Sequence, residues 1–309
     1  MQSRTAPSPA DTLRDLVALV KPNITLLVLI TTAGGLWLAP GGLGFGVLCA
    51  TLIGTVGVVA AANTLNCYLE RDSDKFMART ANRPLPAGRM DARLALWFGL
   101  ALAAGSVPAL AVWVNPVTGL LAAIALVSYV WVYTPMKRMS PQAVVVGALP
   151  GAMPPLMGWT AVTGRIEAPG LVLFAIMFIW QMPHFIAISI YRQSEYDRAG
   201  ILTMPAVYGS RRARWHAVAW SVALLPTSLL LTPLGVAGWI YFAIAAVLGV
   251  GYLVGAIRGL RRDRTPAEID RWAKGFFLYT LAYVTLLFAA ILVDAGPGLS
   301  GLLAGWVGP

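Results

Sequence analysis

Stretches of about 20 apolar residues recur along the chain, the length an α-helix needs to cross the hydrocarbon core of a bilayer. Nine are read as spans, at about 23–41, 43–68, 92–114, 117–134, 142–162, 169–191, 213–232, 235–257 and 274–294. With 58% hydrophobic and 12% charged residues, the chain does not have the composition of a soluble domain of 309 residues. The expected fold is all-α: a polytopic membrane protein of about nine transmembrane helices, in one bundle around a central cavity. That domain occupies residues 21–295, between a polar tail at 1–20 and a short tail at 296–309.

The formal net charge of +10 does not indicate nucleic acid, because its distribution follows the loops. Arg4, Arg14 and Lys21 precede the first span, and further cations fall at Arg71–Arg93, Lys137–Arg138, Arg192–Arg214 and Arg258–Lys274. These are alternate loops; the opposite set, near 42, 115, 165 and 233, holds only Arg165. By the positive-inside rule the protein sits in the cytoplasmic membrane, with its N-terminus cytoplasmic and its C-terminus outside. Membrane lipid, not nucleic acid, is the expected surroundings. The first twenty residues lack the compact apolar core and small-residue cleavage site of a signal peptide, so a loose tail and an uncleaved first helix are expected. Cys49 and Cys67, both in or beside the second span, imply no disulfide framework.

The chemistry concentrates where the second span ends, in Asn66-Cys-Tyr-Leu-Glu70-Arg-Asp72-Ser-Asp74-Lys, followed by Arg79-Thr80 and Arg83-Pro84. If the helix continues, Asn66, Glu70 and Asp74 fall at i, i+4 and i+8 on one face. They then spread over roughly 80° of arc and about 12 Å of rise. Hard oxygen ligands in such a row suit Mg²⁺, whose shell is commonly completed by substrate phosphates. Arg71, Lys75, Arg79 and Arg83 are placed to hold the outer oxygens of a diphosphate. The plainer reading is a solvated mixed-charge loop after a membrane helix. Against it stand the helical register of the acids and the Asn63/Asn66 pair inside the helix end.

Three further stretches carry two readings each. Tyr129-Val-Trp-Val-Tyr133-Thr-Pro-Met-Lys137-Arg138 is either an interfacial aromatic belt with a basic flank or a second basic wall for the same anion. Gly147 through Trp159, with Pro150, Pro154 and Pro155, breaks or kinks a helix, for close packing or for a pocket wall. Trp180-Gln181-Met-Pro-His184-Phe185 places one of two histidines within a span, from which a stripe leads to Arg192 and Glu195. There a hydrogen-bonded core histidine competes with a ligand. His216, among arginines at an interface, reads as a surface residue, and Arg258–Arg264 with Glu268 and Asp270 as a solvated loop.

These motifs resemble the intramembrane prenyltransferase superfamily related to 4-hydroxybenzoate polyprenyltransferase, and within it the branch that prenylates heme. The resemblance rests on Asn66, Glu70, Asp74 and Arg79-Thr80, on Tyr133 through Arg138, on Gly147 through Trp159, and on Trp180 through Phe185 followed by Glu195-Tyr196. It extends over about residues 20–295. Three departures are visible: Glu70 stands where the family usually has aspartate, the second loop lacks the two spaced aspartates of the quinone-type relatives, and Glu195 takes the place of the aspartate in the heme enzymes' Asp-Tyr pair.

The resemblance implies transfer of a farnesyl group from farnesyl diphosphate to a vinyl carbon of heme b, giving heme O for terminal oxidase biogenesis. It implies Mg²⁺ at Asn66, Glu70 and Asp74, with Lys137 and Tyr133 also catalytic. Arg79, Arg83, Lys137, Arg138 and Arg192 would bind diphosphate, and His184, Gln181 and Glu195 heme or a transferred proton. A heme A synthase or an oxidase-assembly protein is the implied partner. A quinone precursor as acceptor is the nearest alternative. A transporter is remote, since the acids cluster at one face and no clear internal repeat is seen.

Overall fold

The computed structural model describes residues 8–261 and 265–294, and among them every regular element is helical. The tail expected at 296–309 lies outside these residues. Helices α1 (Pro9–Val20), α2 (Pro22–Leu38), α3 (Phe45–Glu70) and α4 (Ala92–Trp113) open the chain. A fifth, α5 (Pro116–Val127), runs on through a π-helical turn at Ser128–Tyr133 to Met136. Then follow α6 (Ala143–Thr163), α7 (Ala168–Tyr191), α8 (Ser210–Leu229), α9 (Trp239–Arg258) and α10 (Pro266–Val293).

Each of the nine expected stretches coincides with one of α2–α10. Among the described residues, seven helices are long and apolar enough to cross a membrane alone, and α1 with α2 makes an eighth as a pair bent by 48°. Helix α8 falls short because Arg211, Arg212, Arg214 and His216 fill its first turns. Trp97, Trp113, Trp131 and Trp239 project from the bundle, each more than 60% exposed, as lipid-facing aromatics do.

Several local expectations are corrected. In place of a loose N-terminal tail, residues 9–20 form a helix started by a capping box between Ser8 and Asp11. Leu19 is fully buried, and Asp15 pairs with Arg89 at 3.0 Å, holding α1 against the loop after α3. Helix α10 begins before 274, at Pro266, because Thr265 and Glu268 form a second capping box; Glu268 and Asp270 are therefore helical. The proline-rich segment does not break. Helix α6 runs unbroken through Pro150, Pro154 and Pro155.

Its neighbours explain why α6 survives. One apolar core joins α6 to α2 and α7–α10, through Leu38, Trp159, Trp180, Tyr252 and Phe288. A second joins α6 to α3–α5, through Leu65, Leu110, Leu126, Met153 and Met157. Being shared by both cores, α6 is clamped on opposite sides. Against α2 the two backbones meet: a Cβ on Gly158 would collide with the Thr32 carbonyl, and one on Gly35 with that of Pro155. Small residues permit this approach, which replaces the packing energy that lipid cannot supply.

Gly158→Val is therefore expected to cost about 1–3 kcal/mol through forced separation of α2 and α6. Gly105→Ala, where an added methyl meets open space, should be neutral. Thermal unfolding in detergent checks both; equal melting of the two variants would disprove the close approach.

Candidate active site

The membrane-buried end of α3 meets the end of the α5 span, and the contact is polar. Lys137 Nζ donates to Glu70 Oε1 at 2.7 Å, with both side chains 14% exposed. Asn66 Nδ2 donates to Glu70 Oε2 (2.9 Å) and to Thr134 Oγ1 (3.1 Å). Lys137 also lies over the Tyr133 ring, 4.5 Å from its centroid, and Tyr129 sits 5.4 Å beyond. Burial alone would lower the Lys137 ammonium, but Tyr133 and Glu70 hold it above the ordinary lysine range. It therefore carries its charge at neutral pH.

The π-turn sets this geometry. Pro135 has no N–H to bond the preceding turn, and the ladder widens so that Thr134 N–H reaches the Tyr129 carbonyl. Thr134 Oγ1 donates to the same carbonyl at 2.8 Å. Gly147 and Gly151 of α6 make room for the Tyr133 ring and the Gln181 amide, since a Cβ at either would clash with them.

The continuous row Asn66–Glu70–Asp74 is not observed. Helix α3 ends at Glu70 because side chains take its last carbonyls: Arg71 bonds that of Tyr68 (2.7 Å) and Ser73 that of Glu70 (3.0 Å). Asp74 instead opens a 3-10 turn, Asp74–Phe76, and is buried. Its carboxylate pairs with Arg83 at 2.6 Å, and Thr80 Oγ1 donates to its carbonyl at 2.8 Å. Asp72 and Lys75 pair with each other in solvent.

Among the described residues, no three His, Cys, Asp or Glu side chains converge as a metal cluster. The oxygens present are those of two carboxylates and an amide, each neutralised or bonded within the site.

The stripe from His184 to Glu195 is also interrupted, because α7 ends at Tyr191 and a short helix, Gln193–Arg198, follows. Arg192 pairs with Glu195 at 2.8 Å, and Glu195 Oε2 is buried with no hydrogen-bond partner. This loop joins the rim: the Arg79 guanidinium lies 5.7 Å from the Tyr196 ring, and Leu202 N–H donates to the Lys137 carbonyl. Arg79 and Arg138 are exposed. Gln181 and His184 part company. Gln181 Nε2 donates to the Ala148 and Met177 carbonyls, bracing α6 to α7. His184 instead faces α10, where Nδ1 lies 2.7 Å from Thr280 Oγ1.

Sequence reasoning missed Lys21. It stands at the bend between α1 and α2, the one non-glycine residue of positive φ (55°) among those described. Its ammonium lies 3.5 Å from Asn66 Oδ1 and within electrostatic reach of Glu70, Lys137 and Arg83. The bend is held by Asn63, which bonds the Val20 carbonyl at 3.1 Å. Lys21-Pro22 was legible as a helix start, but the turn of α1 that brings the lysine to Asn66 depends on contacts with α3. Thr134 was missed too, having no signature apart from its partner.

An oily helical bundle with a cation-rich, oxygen-bearing rim at one end is the frame of an intramembrane prenyltransferase, the class to which comparison with known proteins assigns this chain. The UbiA prenyltransferase family profile matches residues 28–281, and the chain belongs to that family. It is 51% identical over 293 residues to the protoheme IX farnesyltransferase of Anaeromyxobacter dehalogenans, covering 95% of this chain and 98% of that one. In fold it is similar to digeranylgeranylglyceryl phosphate synthase (TM-score 0.77, 16% identity, 91% and 98% of the two chains). It is also similar to a UbiA homologue from Archaeoglobus fulgidus bound to DMAPP and Mg²⁺ (TM-score 0.64, 18% identity, 90% and 99%).

If Glu70 is stabilised by Lys137, Lys137→Met leaves a buried carboxylate unpaired and costs about 3–5 kcal/mol. The double variant Glu70→Gln/Lys137→Met should recover part of that loss. Thermal unfolding of the wild type, Glu70→Gln, Lys137→Met and the double variant checks the coupling, and additive losses would refute it.

Proposed function

We propose that this chain transfers the farnesyl group of farnesyl diphosphate to a vinyl carbon of heme b, forming heme O in the cytoplasmic membrane. The observation that carries the reading is the charge balance of the rim. Lys21, Lys137, Arg83, Arg79 and Arg192 gather around only three carboxylates, Glu70, Asp74 and Glu195. A part-buried site with more cations than anions is built to receive an anion. The identity of the acceptor follows from the 51% relative, a protoheme IX farnesyltransferase.

The donor set fits a divalent cation. Asn66, Glu70 and Asp74 supply oxygens alone, the hard ligands Mg²⁺ prefers, and two carboxylates leave the rest of its shell to phosphate oxygens. These three residues would hold it, with Glu195 Oε2 a further available oxygen. When bound, Mg²⁺ supplies charge neutralisation for the departing diphosphate. The chain's own cations do the rest. Lys21 and Lys137, released from Asn66 and Glu70, turn to the diphosphate, and Arg83, Arg79 and Arg192 reach it from the loops.

The C1–O bond of farnesyl then breaks, and its electron pair leaves with diphosphate. The apolar bundle keeps bulk water from the allylic cation, while the ring faces of Tyr133 and Tyr129 stabilise it. The vinyl π pair forms the new C–C bond. Water adds to the carbon left electron-poor, loses a proton and becomes the hydroxyl of the product arm. His184 ligates the heme iron and fixes which edge of the macrocycle meets the rim.

Purified protein given heme b, farnesyl diphosphate and Mg²⁺ should yield heme O by mass analysis. Asp74→Ala should lose about 100-fold or more, the scale for removing a group that stabilises developing charge. Asp72→Ala, on an exposed pair, should keep near-normal turnover. Prenylation of an aromatic acceptor with heme untouched would overturn the assignment, and normal turnover in Asp74→Ala would overturn the metal site.

A further inference from the structure

His184 sits in an aromatic slot formed by α7 and α10. Its ring stacks on Trp180 (centroids 4.9 Å, 25°) and on Phe277 (4.7 Å, 30°), with Phe185 edge-on at 5.5 Å. The two stacking partners fix the plane of the imidazole. Rotation within that plane is fixed by the contact between Nδ1 and Thr280 Oγ1 at 2.7 Å.

The direction of that hydrogen bond follows from proton counting. Thr280 Oγ1 also lies 2.6 Å from the Phe277 carbonyl, a separation between two oxygens that requires a proton between them. A carbonyl has none to give, and a threonine hydroxyl has one. The Thr280 proton is therefore committed to Phe277, and the hydroxyl faces His184 with a lone pair. The proton of the second bond must come from Nδ1. A neutral imidazole carries a single N–H, so Nε2 keeps its lone pair.

Thr280 is itself immobile. It is fully buried, and its own carbonyl accepts from Trp180 Nε1 at 2.6 Å. The Trp180 carbonyl accepts in turn from the buried Tyr252 hydroxyl at 3.1 Å. One continuous chain, Tyr252 to Trp180 to Thr280 to His184, thus ties α9, α7 and α10 to the orientation of a single imidazole. A histidine needed only for packing requires no such control of its tautomer. A metal-ligating histidine does, and it commonly donates its other ring N–H to an oxygen acceptor.

We infer that Thr280 is a positioning residue: it fixes His184 as the Nδ1–H tautomer and so presents Nε2 as the nitrogen ligand to the iron of heme. The inference rests on the heme reading given above. It assigns a role to a hydroxyl that touches neither the diphosphate rim nor the prenyl donor.

Full-length protein labelled with ¹⁵N in its imidazoles gives two histidine spin systems, from His184 and His216, and a His216→Gln variant assigns them. In lipid nanodiscs without heme, His184 should show a protonated Nδ1 and an unprotonated Nε2. That pattern should persist in Thr280→Ser and be lost in Thr280→Val. Titration with ferric heme b should give a histidine-ligated spectrum for the wild type and Thr280→Ser. In Thr280→Val the affinity should fall 10- to 100-fold, the usual loss when the partner of a ligating histidine is removed. Metal-free protoporphyrin IX, having no iron to ligate, should bind all three proteins alike. A protonated Nε2 in the wild type would overturn the inference, as would unchanged heme affinity in Thr280→Val. Failure of the wild type to bind heme at all would instead sink the functional reading, before any variant is compared.

Discussion

The rim depends on an ion pair placed where the membrane begins. Glu70 and Lys137 would each be costly to bury alone, and together they are tolerable because every polar atom between them is engaged. Asn66 holds one carboxylate oxygen and Lys137 the other, while Thr134 ties the amide to the π-turn of α5. The pair therefore fixes the relative position of two spans whose remaining contacts are apolar and non-directional. It also leaves surplus positive charge: Lys21, half-buried beside it, takes part in no ion pair among the described residues. A site assembled this way is stable without its ligand and still attractive to an anion.

Rigidity behind the rim comes from α6. Prolines in a helix remove N–H donors and crowd the preceding turn, so a proline-rich helix holds its shape only when its surroundings impose it. Here two cores press on α6 from opposite sides, and α2 approaches to backbone contact at Gly35 and Gly158. The same helix supplies the glycine notches that seat Tyr133 and Gln181. Residues that look like helix breakers in the sequence are, in the bundle, the means by which polar side chains of α5 and α7 reach the interior.

What was legible in the sequence follows from which interactions are local. The apolar stretches and the alternation of basic loops depend on the chain and the bilayer alone, and α2–α10 fall where they indicate. Asn66, Glu70, Lys137 and Tyr133, all at span ends, lie together. Extending α3 to Asp74 failed because Arg71 and Ser73 take the terminal carbonyls, a competition that helical periodicity does not register. The unbroken α6 and the placement of Lys21 beside Asn66 depend on partners more than ten residues away. Gln181 was grouped with His184 by proximity along the chain, yet three residues of helix turn them to different neighbours.

That divergence separates two kinds of chemistry on one helix. Eight residues of rise, about 12 Å, part His184 from Arg192 just beyond the rim end of α7. Charge is confined to the rim, where the proposed reaction holds and releases diphosphate. Below it the aromatic slot offers a fixed nitrogen in apolar surroundings, suited to a flat, iron-bearing ring and unsuited to a second anion. An allylic cation formed at the rim then meets an acceptor whose reactive edge is set by where its centre is held. Under the proposed function, the order of residues along α7, with His184 inside as ligand and Arg192 at the mouth, would make the acceptor's orientation a consequence of helix geometry.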